Sequence, residues 1–166
     1  DTAGRYRFDD VAPGRYAGPA VIARPMILDG QGKARVEGNG HGTVLAIRAG
    51  GVTLRGLTVA GSGELHDSVD AGILIESDDN LVESNTLEDV LFGFHVRQGH
   101  RNRILRNRVT GKDQPPGLRG EQVAVWSCSS DPIPDPAGAA SVGKFYVLRS
   151  SARKGSAGQT CSPTGF

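Results

Sequence analysis

The chain has 166 residues and 37% hydrophobic content, enough for one domain with a buried core. Its 19 basic and 18 acidic side chains leave a formal charge of +1, which excludes the electrostatic footprint of a nucleic-acid-binding protein. The 24 glycines follow no triplet period, which excludes collagen and favours turn-rich β structure. No apolar run reaches the ~18 residues of a membrane span, so the sequence reads as not itself membrane-spanning.

Residues 1–19 read as a cap segment. They show no signal-peptide pattern, and an opening Asp in place of Met reads as a processed form or a fragment, which leaves export open. Residues 20–40, AVIARPMILDGQGKARVEGNG, alternate in polarity, with Val36 between Arg35 and Glu37. Next, TVLAIRAGGVTLRGLTV at 43–59 matches a later unit at an offset of 28, setting Leu45 on Ile73, Ile47 on Ile75, Leu54 on Val82, Leu57 on Asn85 and Val59 on Leu87. Met26 aligns with Leu54 and reads as a core residue. The polar stretch GSGELHDSVD, residues 61–70, absorbs the extra length as an outward loop.

NLVESNTLED at 80–89 and NRILRNRVTG at 102–111 are copies of one template, offset by 22 residues. Asn80 answers to Asn102, Val82 to Ile104, Asn85 to Asn107 and Leu87 to Val109. VAVW at 123–126 repeats the rhythm of FHV at 94–96. Runs of two-residue period, broken by Gly, Asn, Asp or Ser, predict an all-β right-handed parallel β-helix, a solenoid of ~22-residue coils with three short strands and three turns each. The predicted interior holds Ile47, Val52, Leu54, Ile73, Ile75, Val82, Leu87, Phe94, Val96, Ile104 and Val109. Asn85 and Asn107 are expected as a structural turn ladder at a bend, where Asn tolerates the left-handed region and its amide bonds the next Asn. Leu57 begins that ladder without an amide. Strand parity also predicts an outward column of Arg48, Glu76, Arg97 and Trp126.

After residue 126 the rhythm stops. Residues 127–166 hold Pro132, Pro134 and Pro136 and no Asn, and predict an irregular Pro/Gly/Ser-rich tail in which only KFYVLR reads as a strand. The break predicts that a frameshift or truncation replaced further coils, leaving an unpaired edge after Val125. Cys128 and Cys161 either close a loop of about 33 residues by a disulfide or remain two free thiols.

The run from APGRYAGPAVIARPMILDG through RGLTVAGSG, then DAGILIESDDNLVESNTLEDVLFGFHV and NRILRNRVTG, resembles the NosD family, roughly over residues 11–126. Tyr16, Pro25, Gly30, Gly32, the RGLTV turn, Asp70-Ala71-Gly72 and the Arg119-Gly120 lead into VAVW carry the likeness. The resemblance implies a periplasmic, copper-binding accessory protein. It implies work with an ABC-type membrane transporter and delivery of copper to the copper-sulfide centre of nitrous oxide reductase.

Copper takes thioether, thiolate and imidazole ligands, of which the chain offers Met26, Cys128, Cys161, His41, His66, His95 and His100. No C-x-x-C or H-x-x-x-H spacing joins any of them. His41 in GNGHGT and His100 in QGHRN read as turn residues. His66, with Asp67 and Asp70, forms the best imidazole–carboxylate cluster, and His95 faces outward beside it above Leu74. A rival enzymatic reading gives Glu64, Asp67, Asp70, Asp78 and Asp79 acid–base work on a polysaccharide. Asp78 and Asp79 sit in a turn, and few aromatic platforms exist, so a non-enzymatic role is expected. A plain structural solenoid is the third alternative.

Overall fold

The computed structural model describes residues 6–8, 12–113, 123–127 and 146–149. The described residues form strands and turns without a helix: β1 (Tyr6–Phe8), β2 (Gly14–Ala17), β3 (Ala20–Ile22), β4 (Met26–Glu37), β5 (Leu45–Ile47), β6 (Thr53–Ala60) and β7 (Ala71–Ile75) come first. β8 (Leu81–Glu83), β9 (Thr86–Val90), β10 (Phe92–Val96), β11 (Arg103–Leu105), β12 (Arg108–Gly111), β13 (Val123–Ser127) and β14 (Tyr146–Arg149) follow.

Every pairing among them is parallel. One sheet runs β3-β5-β7-β10-β13-β14; the other runs β1-β4-β6-β8-β11, with β2 on β4 and β9 joining β6 to β12. Neighbours in each sheet are separated by a whole circuit of chain, which makes the fold a parallel β-solenoid of about four turns.

The register follows the repeat. Leu45 pairs with Ile73 and Thr58 with Thr86, both 28 residues apart; Leu81 pairs with Arg103 and Thr86 with Arg108, both 22 apart. Aliphatic columns therefore stack inside: Ile22, Ile47, Ile75 and Val96 in one, Val36, Val59, Leu87 and Val109 in another, all buried. Ile104 is partly buried and packs against the same core.

Five expectations change. Leu28, not Met26, pairs with Leu54, because the first coil is 26 residues long at this strand rather than 28. Met26 is a partly buried neighbour of the core, so its packing role stands while its register shifts. Trp126 pairs with His95 rather than following Arg97, so the outward charged column ends at Arg97. Three strands per coil appear only from the third circuit; in the first two, β4 and β6 run unbroken through the bend that later separates β8 from β9.

The fourth change concerns the chain's end. β14, inside the predicted KFYVLR strand, pairs with β13, so the stack does not stop at Val125 on that sheet. The rest of the tail, with Cys128 and Cys161, lies outside the described residues.

The bends have a physical cause that differs from the expected one. Left-handed residues precede each asparagine: Asp79 (φ 59°) and Arg101 (φ 56°) stand before Asn80 and Asn102, and Ser84 (φ 55°) and Arg106 (φ 52°) before Asn85 and Asn107. In the second coil the equivalent positions are Gly51 (φ 71°) and Gly56 (φ 64°), where glycine adopts the conformation without strain. The asparagines themselves do not take the left-handed conformation and serve instead as interior hydrogen-bonding groups.

Candidate functional site

Asn85 and Asn107 are buried at 1% and 2% exposure, where an unpaired amide would be costly, and each is satisfied by the coil next to it. Asn85 Oδ1 accepts the Leu57 N–H at 3.1 Å, and Asn85 Nδ2 donates to Leu54 O at 3.0 Å. Asn107 Oδ1 accepts the Asn85 backbone N–H at 2.9 Å, and its Nδ2 donates to Val82 O at 2.9 Å. Leu57 heads this ladder as expected.

A second ladder, unforeseen as such, runs five residues earlier. Asn80 Oδ1 accepts the Val52 N–H at 2.9 Å, Asn102 Oδ1 accepts the Asn80 N–H at 3.0 Å, and Ser77 O accepts from both carboxamides. The signal was the Asn80–Asn102 match at an offset of 22.

Outside the barrel, charge is arranged by coil. Glu76, whose side chain is only 10% exposed, bridges Arg48 in the coil before and Arg97 in the coil after. Arg101 makes a two-point contact with Asp79 at 2.6 and 2.7 Å, and Arg106 pairs with Glu83. Arg35 reaches across two coils to Glu88 at 2.7 Å. The Arg101 guanidinium holds the Asp79 carboxyl below the ordinary aspartate range.

The loop at 61–70 is the one place where the second coil outgrows its neighbours, and it folds back on itself. Asp70, 3% exposed, accepts the Leu65 N–H on Oδ2 at 3.0 Å and the Ser68 hydroxyl on Oδ1 at 2.7 Å. Gly63 passes so close that a Cβ there would sit 2.0 Å from Asp70 Oδ2 and 2.4 Å from Gly42 N. Buried Ser62 accepts the Leu91 N–H on Oγ at 2.9 Å. Leu65, 67% exposed, stands at the loop's tip. Beside it, Lys112 contacts Asp89 at 3.3 Å and Glu64 at 3.9 Å, with its own side chain only 7% exposed.

The four histidines are dispersed by this arrangement. His66 lies edge-on against Phe92, ring centroids 5.9 Å apart, while Asp70 is turned into the loop backbone and Asp67 is exposed. His95 has the expected outward parity and pairs with Leu74, yet it is 7% exposed rather than displayed to solvent. Burial, reinforced by Arg97 and opposed by Glu76, lowers its pKa to about 4, so its ring is neutral at physiological pH. His41 is exposed beside Asn39, whose Oδ1 accepts its N–H at 3.2 Å. The exposed His100 donates its N–H to Asp78 Oδ1 at 2.8 Å. Among the described residues no three His, Cys, Asp or Glu side chains gather as metal ligands. Of the proposed acid–base carboxylates, Asp70, Asp78 and Asp79 are engaged in loop and turn contacts, and Glu64 contacts Lys112.

Among the described residues no helix is long and apolar enough to cross a membrane. The chain is similar to the "Probable ABC transporter binding protein NosD" of Pseudomonas aeruginosa, 30% identical over 115 residues. The match takes in 68% of this chain and 26% of that protein, so the chain spans about a quarter of the length of the curated relative it matches. No family profile and no solved structure matches the chain.

Proposed function

We propose that this chain is a NosD-like, non-enzymatic accessory solenoid of the periplasm that works with an ABC-type transporter in the maturation of nitrous oxide reductase, with copper as cargo. The observation that carries the reading is the 115-residue similarity to a protein named as an ABC transporter binding protein, joined to this chain's parallel solenoid of stacked coils. A stack of rigid coils suits such work, because it holds outward side chains in fixed columns about 4.8 Å apart without needing a catalytic cleft.

The described residues do not fit a resident copper site. His66 lies against Phe92 and His95 is set beside Leu74, and among the described residues no group of three potential ligands forms, whereas a copper ion prefers several imidazole or sulfur donors together. What these coils contribute is a docking surface. Arg48, Glu76 and Arg97 form its fixed charge column, and the loop at 61–70, clamped by Asp70, projects beside it. A polysaccharide-active role is the alternative reading, for which Glu64 and the exposed Asp67 are the carboxylates least engaged in loop and turn contacts.

The test is co-purification. A tagged chain expressed with the transporter of a denitrifying host should retain transporter subunits in detergent. A chain that is folded, by far-UV circular dichroism, yet retains none would contradict the reading.

A further inference from the structure

In both ladders the backbone N–H of one coil donates to the asparagine Oδ1 of the next: Val52 to Asn80, Asn80 to Asn102, Leu57 to Asn85 and Asn85 to Asn107. The rule leaves a question at the last described rungs. No described residue accepts the backbone N–H of Asn102 or Asn107, and the chain has no asparagine after Asn107. On the same sheet β11 and β12 are the final strands among the described residues, although the other sheet continues to β13 and β14.

Charge marks the same edge. Residues 71–91 carry six acidic side chains and no Lys or Arg, whereas residues 92–113 carry six basic side chains and one acid, Asp113. Four of those bases are answered by the acidic coil: Arg97 by Glu76, Arg101 by Asp79, Arg106 by Glu83 and Lys112 by Asp89. Arg103 and Arg108, each directly after a ladder asparagine, are exposed and have no ion pair among the described residues. An acidic coil already lies against one side of this basic coil, so an acidic strand suits its other side.

We propose that the outer edge of β11 and β12 docks an extended acidic segment of a partner protein. The segment adds to the sheet in parallel, with asparagines five residues apart. Their carboxamide oxygens accept from Asn102 and Asn107, its strand backbone pairs with β11 and β12, and its carboxylates meet Arg103 and Arg108. Backbone pairing supplies affinity, while the two asparagines fix the register and the acids select the partner. This docking is independent of the maturation role.

The chain's own acidic coil is the natural probe, because it has asparagines five residues apart and six acids. A fluorescein-labelled peptide of residues 76–91, ESDDNLVESNTLEDVL, is titrated with the full chain and followed by anisotropy. Saturable, salt-sensitive binding is expected. Affinity should fall roughly tenfold or more with Arg103→Glu plus Arg108→Glu, a change at exposed positions checked for folding by circular dichroism. A peptide with lysines for its acids should bind that double variant better than it binds the unaltered chain. Replacing both peptide asparagines by alanine should also weaken binding. Absence of binding would overturn the proposal. So would equal binding of a scrambled peptide, which would show charge attraction without strand addition. A chain that self-associates through Arg103 and Arg108, seen as a mass above the monomer that the double variant abolishes, would likewise overturn it in favour of a second copy.

Discussion

Asn107 accepts two hydrogen bonds from Asn85 on one carboxamide oxygen, the backbone N–H at 2.9 Å and the side-chain Nδ2 at 3.0 Å. Through this contact one coil reads the position of the next. Asn85 in turn satisfies the Leu57 N–H, so its removal leaves a buried donor on one side and a buried acceptor, Leu54 O, on the other. Asn85→Ala should therefore cost about 2–4 kcal/mol in urea unfolding, more than a single exposed hydrogen bond could. Asn85→Asp should be worse, since it loses the donor to Leu54 O and buries charge.

Ile75 is fully buried in the column of Ile22, Ile47 and Val96. Ile75→Asp places an unpaired carboxylate there, at a cost of several kcal/mol, roughly the stability of a small domain. Loss of the β-type far-UV spectrum at 25 °C is expected; a native spectrum with unchanged melting would show the inward parity to be wrong.

Acidification should destabilise the fold through His95. Its pKa is lowered from the ordinary 6.5 to about 4, so between those values the unfolded chain binds the proton and the folded chain does not. Stability contributed by the neutral ring is complete above pH 6.5, declines below it and is spent near pH 4, a swing of up to about 3 kcal/mol. His95→Gln, neutral throughout, should flatten this part of a stability–pH curve measured by chemical unfolding.

Glu76 binds Arg48 and Arg97 together from a side chain that is 10% exposed. Glu76→Gln removes the anion and leaves two guanidinium groups facing each other across one coil. A loss of about 1–2 kcal/mol is expected, shrinking as salt is raised from low to molar concentration. Arg97→Ala alone should cost less, because Arg48 still neutralises the carboxylate.

Much of the fold was legible because a solenoid writes its stacking into the chain as offsets. Leu57, Asn85 and Asn107 fall in one column by counting alone, and Ile73-Leu74-Ile75 shows its inward face by parity. What could not be read were features set by the chain's path rather than its rhythm. The left-handed bend lies at Ser84 and Arg106, residue types with no preference for it. Asparagine's own tolerance of that conformation pointed one position too far. Met26 was misplaced by two residues because the first coil is shorter at β4. At the candidate site, parity gave His95 its outward direction but not its burial. Asp70 looked like a ligand beside His66 until the loop at 61–70 folded it back onto Leu65 and Ser68.

The proposed maturation role is tested most directly by deleting the gene in a host that makes nitrous oxide reductase. Nitrous oxide reductase is then purified and its copper content and activity measured. The account predicts a reductase that accumulates but lacks its copper-sulfide centre and does not reduce nitrous oxide, with activity returning when the gene is restored. A fully copper-loaded, active reductase in the deletion strain would contradict it.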